Sequence, residues 1–132
     1  MNEVLEFLTT NPTFYLATVE ENQARVRPFG AIAKFEDKLY FATNNTKPVF
    51  KQLVANPKVE ISTTSPKGEW IRLSGNAVVD SRIEAKTAML ESVPMLKKMY
   101  SVEDGAFEVF YITDAVAVFN SFSDPIPKTV QL

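Results

Sequence analysis

Three strand-like runs separated by short polar turns lie between Thr13 and Thr43, and they constrain the fold of this 132-residue chain more than any other feature. The runs read TFYLATV, ARVRPFGAIAKF and KLYFAT, with Glu20–Gln23 and Glu36–Asp37 between them. Connections of about two to five residues are typical of antiparallel hairpins. After a first short helix, MNEVLEFLTTNP, the chain is therefore predicted to form a meander of antiparallel strands.

The rest of the chain continues this β-rich pattern with short helices inserted. KVEISTT and GEWIRLSGNAVVD alternate as strands do, and AFEVFYITDAVAVFNSF is the last β block. A Ser81-x-x-Glu84 capping box predicts a helix towards Leu90, Pro94 begins another short helix, and DPIPKTVQL is predicted to be a tail. The length suits one domain, so we expect a single, mainly β (α+β) domain over residues 1–132.

The sequence contains neither cysteine nor histidine. This excludes disulfides, cysteine nucleophiles, Ser-His-Asp triads and metal sites built on histidine or cysteine, and we predict no metal site. The acidic pairs fall in predicted turns, where solvated charges are the simplest interpretation. We identify no catalytic side chain, so an enzyme of this composition depends on carboxylates, Lys and Tyr or on a bound cofactor.

Charge and hydropathy exclude two further classes of protein. Fourteen Lys and Arg against sixteen Asp and Glu give a net charge of −2, scattered evenly, which argues against nucleic-acid binding. No run approaches the roughly 18 apolar residues of a membrane span, and no signal-peptide pattern is present. We therefore expect a cytoplasmic protein.

The segment NNTKPVFKQLVANP has the features of a helix whose first turn binds an anion. Thr46 is the predicted N-cap, Pro48 lies in the first turn, and Asn56-Pro57 ends the helix. A helix N-terminus presents unpaired N–H groups and positive partial charge, to which Lys47 adds an ammonium group. Arg27 is expected to point towards the same anion, because the predicted hairpin partner of its strand leads into this segment. The pattern predicts a phosphate site; simple capping with a solvated Lys47 is the alternative.

Two other features each have a structural and a functional interpretation. Pro28 and Gly30 either relieve edge exposure and strain in a bent strand or let a flat ligand approach the backbone. Trp70 is either a core residue or, together with Arg72, flanks an aromatic ligand. The sequence alone leaves both pairs of interpretations open.

The ordered series FYLATV, RVRPFGAIAKF, KLYFATNNTKPVFKQLVANPKVEI and EWIRLSGNAVV resembles the small flavin-binding split β-barrel proteins of the pyridoxamine 5′-phosphate oxidase-like superfamily. The resemblance covers residues 5–80 well and continues to 119 in outline. It implies a six-stranded antiparallel split β-barrel with Greek-key character and flanking short helices. It also implies a homodimer with FMN bound in two clefts at the subunit interface.

The resemblance further implies which residues bind the cofactor. Arg27 would contact the phosphate or the adjacent flavin edge, and the backbone of Pro28–Gly30 would line the isoalloxazine ring. Thr43 and Asn44 would follow the ribityl chain, while Thr46 and Lys47 would hold the phosphate. Trp70 and Arg72 match a later flavin-contacting strand, acting from the same or the partner subunit. The positions implied are Arg27, Pro28, Phe29, Gly30, Thr43, Asn44, Thr46, Lys47, Trp70 and Arg72.

The chain also departs from the pattern of some relatives. Its last arginine is Arg82, so it lacks the C-terminal arginine-rich segment of pyridoxamine phosphate oxidases, which argues against vitamin B6 synthesis. The lack of histidine argues against haem degradation and nitroimidazole reduction. The C-terminal FNSFSDPIPK either covers the flavin or packs on the partner.

The hypothesis that follows is an FMN-dependent oxidoreductase acting on a small molecule. The main alternative is a non-catalytic flavin-binding or small-ligand protein, such as a carrier or stress-response module. A deazaflavin or another phosphorylated ligand in place of FMN, and a barrel with an empty cleft, are further alternatives.

Overall fold

Eight antiparallel strands form one sheet in the computed structural model, which describes residues 1–132. Three short helices and one 3₁₀ helix accompany the sheet. The elements are α1 (Asn2–Thr10), β1 (Phe14–Glu20), β2 (Gln23–Phe29), β3 (Ile32–Phe35), β4 (Lys38–Asn44), α2 (Pro48–Ala55), β5 (Lys58–Thr64), β6 (Glu69–Asp80), α3 (Ile83–Ser92), the 3₁₀ helix (Pro94–Lys98), β7 (Phe107–Ser121) and β8 (Lys128–Gln131).

The sheet curls until its two ends meet. The strand order is β2-β1-β5-β6-β7-β4-β3, with β8 beside β7. Strands β2 and β3 lie at opposite ends of this order, yet only Gly30 and Ala31 separate them along the chain. No backbone ladder joins them, so the barrel stays open along this seam. The predicted α+β split barrel is confirmed; six strands have seven or more residues, and β3 and β8, of four residues each, are additional.

The barrel interior is filled by alternate residues of the strands. Directly opposite positions share a face, and the row Leu16, Ile61, Leu73 and Ala117 is completely buried. Helix α1 adds Val4 and Leu8 to this core, also completely buried. Burying each large aliphatic side chain contributes about 1.5–3 kcal/mol, so this core dominates the stability of the fold.

A second apolar cluster lies on the outside of the barrel. Helix α3 and the 3₁₀ helix supply Met89 and Leu96, which pack with Tyr40 and Phe107 of strands β4 and β7. This cluster fixes the 3₁₀ helix beside the seam, where the cavity described below opens.

Strand β6 contains an irregularity that requires glycine. The register between β6 and β7 shifts between Ser74 and Asn76. A Cβ on Gly75 would collide with Ile112 Cγ2 and approach Thr113 O to 2.7 Å. The close approach of the two backbones at this bulge therefore accounts for the glycine.

The second strand-like run is not one strand. It divides at Gly30–Ala31 into β2, which pairs with β1, and β3, which pairs with β4. Arg27 is therefore not on the hairpin partner of β4, and that premise of the phosphate-site prediction is wrong. Arg27 still reaches the same region, because the two ends of the sheet meet at the seam.

The predicted helix caps are wrong as well. Lys47, not Thr46, is the N-cap of α2, and α3 begins after Arg82 without the Ser81–Glu84 capping box. Neither helix has a capping bond from a side chain at its N-cap. In both places an Asx turn from the end of the preceding strand, through Asn44 or Asp80, orders the chain instead.

The C-terminal segment is not only a tail. Residues Lys128–Gln131 form β8, which pairs with 116–119 of β7. The local sequence, with two prolines just before it, gave little indication of this strand, because its pairing depends on an edge supplied by another part of the chain.

Candidate functional site

A cavity of about 460 Å³ opens at the seam between β2 and β3. Its size lies within the range of small-molecule sites, about 300–1,000 Å³. Most of its lining is apolar. It is lined by Arg27, Pro28, Phe29, Gly30, Ala31, Ala42, Thr43, Lys47, Val49, Val93, Met95, Leu96, Lys98, Met99 and Tyr100.

Six of the ten positions selected from the sequence line this one cavity. Residues 27–30 come from the end of β2, Thr43 comes from β4, and Lys47 caps α2. These segments are distant in sequence and meet because the barrel seam brings β2 beside the start of α2. Asn44, Thr46, Trp70 and Arg72 are outside the lining.

Arg27 is held in place by three acceptors from two segments, β1 and α2. Its Nη1 donates to the carbonyl of Leu16 at 3.0 Å and to Thr18 Oγ1 at 2.8 Å, and its Nη2 donates to Gln52 Oε1. Thr18 and Gln52 are both buried and are joined by a 2.6 Å hydrogen bond. Partial burial lowers the pKa of Arg27, although an arginine remains charged at neutral pH. The guanidinium is therefore a fixed, half-buried cation.

The three cations of the cavity have no acidic partner. Arg27, Lys47 and Lys98 take part in none of the ion pairs of the chain, and no Asp or Glu lines the cavity. Uncompensated positive charge among apolar walls favours an anionic ligand with a large apolar part.

Thr43 lines this cavity and has a buried hydroxyl without a hydrogen-bond partner. The residue is 3% exposed, and its Oγ1 is one of three buried side-chain polar atoms in the chain that lack a partner. Leaving such a group unpaired costs about 1–3 kcal/mol. A ligand with a hydrogen-bonding group would satisfy the hydroxyl.

Asn44 organises the turn between β4 and α2. Its Oδ1 accepts from Thr46 N at 3.0 Å and from Thr46 Oγ1 at 2.5 Å, while its Nδ2 donates to Tyr100 Oη at 2.8 Å. Asn44 and Thr46 therefore support the cavity wall without lining it. Their predicted contacts with the cofactor stay predictions.

Pro28 and Gly30 differ in what the protein itself requires of them. Pro28 lies in β2, an edge strand with β1 on one side only, so its missing N–H interrupts no ladder. Gly30 has no positive φ, and a Cβ there would meet only Pro12 O, at an ordinary 3.5 Å. Nothing within the chain demands glycine at position 30, which favours the interpretation that a ligand approaches there.

Trp70 and Arg72 lie on the outer face of the sheet. Register places Pro28, Tyr15, Ser62 and Arg72 in one row across β2, β1, β5 and β6. Three strand spacings of about 4.8 Å separate Arg72 from Pro28 by roughly 14 Å. The Arg72 guanidinium lies 4.9 Å from the centre of the Trp70 ring. One protomer therefore does not bring this pair to its own cavity.

Sequence reasoning missed the wall opposite the strands. The segment from Val93 to Tyr100 supplies six lining residues, including Met95 and Met99, which are 68% and 66% exposed. Two large apolar side chains, one in a short, Pro-initiated helix and one directly after it, were the available signal. Gln52 was also missed, because a glutamine inside an apolar helical stripe gives no local indication of a buried partner.

Two general features of the chain complete the description. No cluster of three or more acidic, His or Cys residues is arranged to hold a metal ion. None of the helices has the length and apolar character that a membrane crossing requires. The cytoplasmic location stays a prediction.

Comparison with known proteins identifies close and distant relatives. A sequence model described as pyridoxamine 5′-phosphate oxidase matches residues 1–115. A NimC/NimA family protein from Clostridium acetobutylicum, of known crystal structure, is 52% identical, with a TM-score of 0.95 over 100% of this chain and 93% of that one. No functionally curated protein matches the chain.

Two further solved structures are similar at lower identity. General Stress Protein 26 from Bacillus anthracis is 18% identical, with a TM-score of 0.75 over 98% of this chain and 97% of that one. A pyridoxamine 5′-phosphate oxidase-related, FMN binding protein from Nostoc punctiforme is 14% identical, with a TM-score of 0.68 over 99% and 95%. These two show the fold alone. The lack of histidine argued against haem degradation and nitroimidazole reduction. These matches do not test either point, and both stay predictions.

Proposed function

The chain belongs to the pyridoxamine 5′-phosphate oxidase family, and on that premise we propose that it is an FMN-binding flavoprotein. One observation carries the proposal: the seam cavity combines three unpaired cations and an unpartnered buried hydroxyl with apolar walls. FMN has the matching parts, namely a phosphate dianion, a polyhydroxyl chain and a flat aromatic ring.

The residues of the cavity fit these parts of FMN. Arg27 and Lys47 supply positive charge for the phosphate beside the first turn of α2, where backbone N–H groups lack helical partners. The Thr43 hydroxyl is available to the ribityl chain. The backbone of Pro28–Gly30, on the seam, offers a surface without obstructing side chains at Gly30 for the isoalloxazine ring.

We further propose that the protein is an FMN-dependent oxidoreductase acting on a small molecule. Bound FMN would supply hydride or electron transfer. A cofactor of this kind suits a chain that has neither Cys nor His for side-chain catalysis. The residues of the chain bind the cofactor, orient it and exclude water from one face. A non-catalytic flavin carrier uses the same cavity and is the alternative that the assay below separates.

The proposal includes a homodimer in which a second copy completes the cleft. Trp70 and Arg72 lie on the same outer sheet face as Tyr15 and Val26, which are 48% and 67% exposed. We propose that two copies pack through this face with Arg72 of one copy facing the seam of the other. In this arrangement Trp70 and Arg72, which the family resemblance implies as flavin contacts, would reach the flavin of the other copy. Within a single protomer they do not reach the cavity.

The first experiment tests cofactor binding. We expect the purified protein to retain FMN, identified by its visible absorption and by mass spectrometry, and the apoprotein to bind FMN more tightly than riboflavin. A retained deazaflavin or another phosphorylated ligand would replace FMN in the proposal. If FMN binds no better than riboflavin, the phosphate-site assignment is wrong.

Substitution of Lys47 tests the same site at one residue. Lys47→Ala removes a charge from the proposed phosphate site and is expected to weaken FMN by about tenfold to a hundredfold, with little effect on riboflavin. Lys51→Ala, on the exposed side of α2 and outside the cavity lining, is the matched control. Equal weakening of both flavins by Lys47→Ala contradicts the assignment.

Catalysis is tested with the FMN-loaded protein. Anaerobic addition of NADH or NADPH, followed by an electron acceptor, distinguishes the two candidate functions. Bleaching of the flavin and its reoxidation over repeated turnovers supports an oxidoreductase. A flavin that stays oxidised with both donors supports the binding protein.

A further inference from the structure

The 3₁₀ helix contributes a cation to the cavity that no sequence pattern indicated. Lys98 lines the cavity together with Lys47 and Arg27. It makes no ion pair and no side-chain hydrogen bond within the chain, whereas Arg25, Lys34, Arg82, Lys86 and Lys128 all pair with carboxylates. The ammonium of Lys98 is thus free for a ligand.

One asparagine ties the 3₁₀ helix to the start of α2. Asn44 Nδ2 donates to Tyr100 Oη at 2.8 Å, and Asn44 Oδ1 and O accept from the backbone N–H groups of Thr46 and Lys47, respectively. Lys98 precedes Tyr100 by two residues, and Lys47 follows Asn44 by three. The chain segments that carry the two lysines are therefore joined at Asn44, beside the cavity that both lysines line.

Tyr100 is itself held rigidly. Its ring stacks on that of Phe107, with centroids 5.0 Å apart and planes inclined by 25°, and Phe107 is 1% exposed. A stacked ring with a fixed hydroxyl restrains the backbone just after the 3₁₀ helix. The position of the chain next to Lys98 is thus set by packing.

From these contacts we infer that Lys98 is a further phosphate-binding residue of the cofactor site; the inference rests on the proposed function. A phosphate monoester carries about −1.5 to −2 charges near pH 7. Arg27, Lys47 and Lys98 reach it from β2, from the cap of α2 and from the 3₁₀ helix. Cations on three separate segments surround the phosphate more completely than the two identified from the sequence.

The test compares two adjacent lysines. Lys98→Ala is expected to weaken FMN roughly threefold to tenfold and to leave riboflavin unchanged, because only FMN carries the phosphate. Lys97→Ala, exposed and outside the cavity lining, leaves both affinities unchanged. Lys98→Arg keeps the charge and restores most of the FMN affinity. Affinities are measured by quenching of flavin fluorescence.

Two outcomes overturn the inference. The first is an FMN affinity of Lys98→Ala within twofold of the wild type, which would assign Lys98 to a different anionic ligand or to solvent. The second is an equal loss of affinity for FMN and riboflavin. Such a result would indicate that the substitution changes the shape of the cavity and that the charge of Lys98 does not contribute.

A flavin-independent readout separates this inference from the proposed function. Inorganic phosphate is titrated against the apoprotein and followed by broadening of its ³¹P signal. Weaker phosphate binding by Lys98→Ala than by Lys97→Ala supports the inference even if the wild type binds no flavin. Tyr100→Phe, which removes the hydrogen bond to Asn44, is expected to weaken phosphate binding as well, to a smaller extent. Unchanged phosphate binding in both Lys98→Ala and Tyr100→Phe refutes the inference.

Discussion

Gly30 shows how a single residue can be assigned to a ligand by what the protein does not require of it. Glycine is normally retained for a positive φ or for a close contact. Gly105 has the first, with φ of 73°, and Gly75 has the second, whereas Gly30 has neither. The explanation that we propose for Gly30, which lines the cavity, is that a ligand occupies the space beside it.

Gly30→Ala therefore separates stability from binding. We expect the free energy of unfolding to stay unchanged or to rise by up to about 1 kcal/mol, since alanine restricts the unfolded chain. FMN affinity should fall by about tenfold, because one methyl group intrudes on the ring. Thermal unfolding and flavin titration measure the two effects.

Gly105→Ala is the reciprocal control. Its positive φ lies in a turn with no neighbour within 4 Å, so alanine there costs about 1 kcal/mol of stability without touching the cavity. A destabilised Gly30→Ala variant with normal FMN affinity would show that Gly30 serves the fold and not the ligand.

Several elements are joined by one buried carboxylate. Asp80, at the end of β6, accepts from Tyr40 Oη at 2.7 Å and from Arg82 Nη2 at 2.9 Å. Arg82 also pairs with Glu36 in the β3–β4 turn. The hydrogen bonds from Arg82 lower the pKa of Asp80 to about 2, and burial raises the pKa of Tyr40. The network fastens β4, β6 and the start of α3 to one another.

The low pKa of Asp80 predicts how stability depends on pH. A carboxyl whose pKa is lower in the folded than in the unfolded state stabilises the fold above its unfolded pKa, and this contribution is lost as the pH falls through the folded pKa. Asp80→Asn should cost about 1–3 kcal/mol near pH 7. The difference from the wild type should shrink as the pH falls from about 5 to about 2.

Denaturant unfolding across this pH range measures the effect. Asp37→Asn is the control, because that carboxyl is 96% exposed and asparagine tolerates its positive φ of 58°. We expect a change within about 0.5 kcal/mol for the control. A constant difference between wild type and Asp80→Asn from pH 7 to pH 2 would mean that the charge of Asp80 does not stabilise the fold.

The outer side of the sheet carries large apolar side chains that the rest of the chain leaves exposed, among them Tyr15 and Val26. Register places Val26, Ala17, Glu60, Ser74 and Val116 in a row on the outer side of the sheet, next to the row that contains Arg72. The proposed homodimer uses this face, and its cleft includes residues of both copies. Association and cofactor binding are therefore expected to be lost together.

Val26→Glu tests that coupling. A charge on the 67% exposed Val26 should be harmless in a monomer and strongly unfavourable in a packed face. We expect the mass measured by sedimentation to fall from twice 14.8 kDa to 14.8 kDa, with at least a tenfold loss of FMN affinity.

Ile83→Glu, on α3 and 59% exposed, is the matched control and should leave mass and affinity unchanged. A wild-type monomer that binds FMN fully would refute the homodimer, and the cleft would then belong to one chain.

Much of the fold could be predicted from local sequence because its signals are local. The alternation in GEWIRLSGNAVVD predicted a strand, and β6 spans Glu69–Asp80, with Ile71 and Leu73 completely buried on one face. Pro48 and Asn56-Pro57 marked the ends of α2 to within a residue or two. Backbone sterics and the two-residue period of a strand act within a few residues, so they can be read without knowing the partner.

Three of the features that sequence reasoning missed have one physical cause, which is that they depend on pairing between distant segments. These are the division of the second run into β2 and β3, the strand β8 and the hydrogen bond between Arg27 and Gln52. Each requires segments that only the folded sheet brings together. The failed N-cap at Thr46 has a local cause instead: Asn44, two residues earlier at the end of β4, accepts a hydrogen bond from the Thr46 hydroxyl.

By itself, the sequence determined a Cys- and His-free, mainly β chain with cations near one helix start, since composition and local periodicity need no partner. Only the tertiary structure decided that Arg27, Lys47 and Lys98 share a cavity without carboxylates. It also placed Trp70 and Arg72 on the outer face of the sheet, three strands away from Pro28 and outside the cavity lining. The reason is geometric: a barrel seam joins residues far apart in sequence, and strand register alone sets which face each of them occupies.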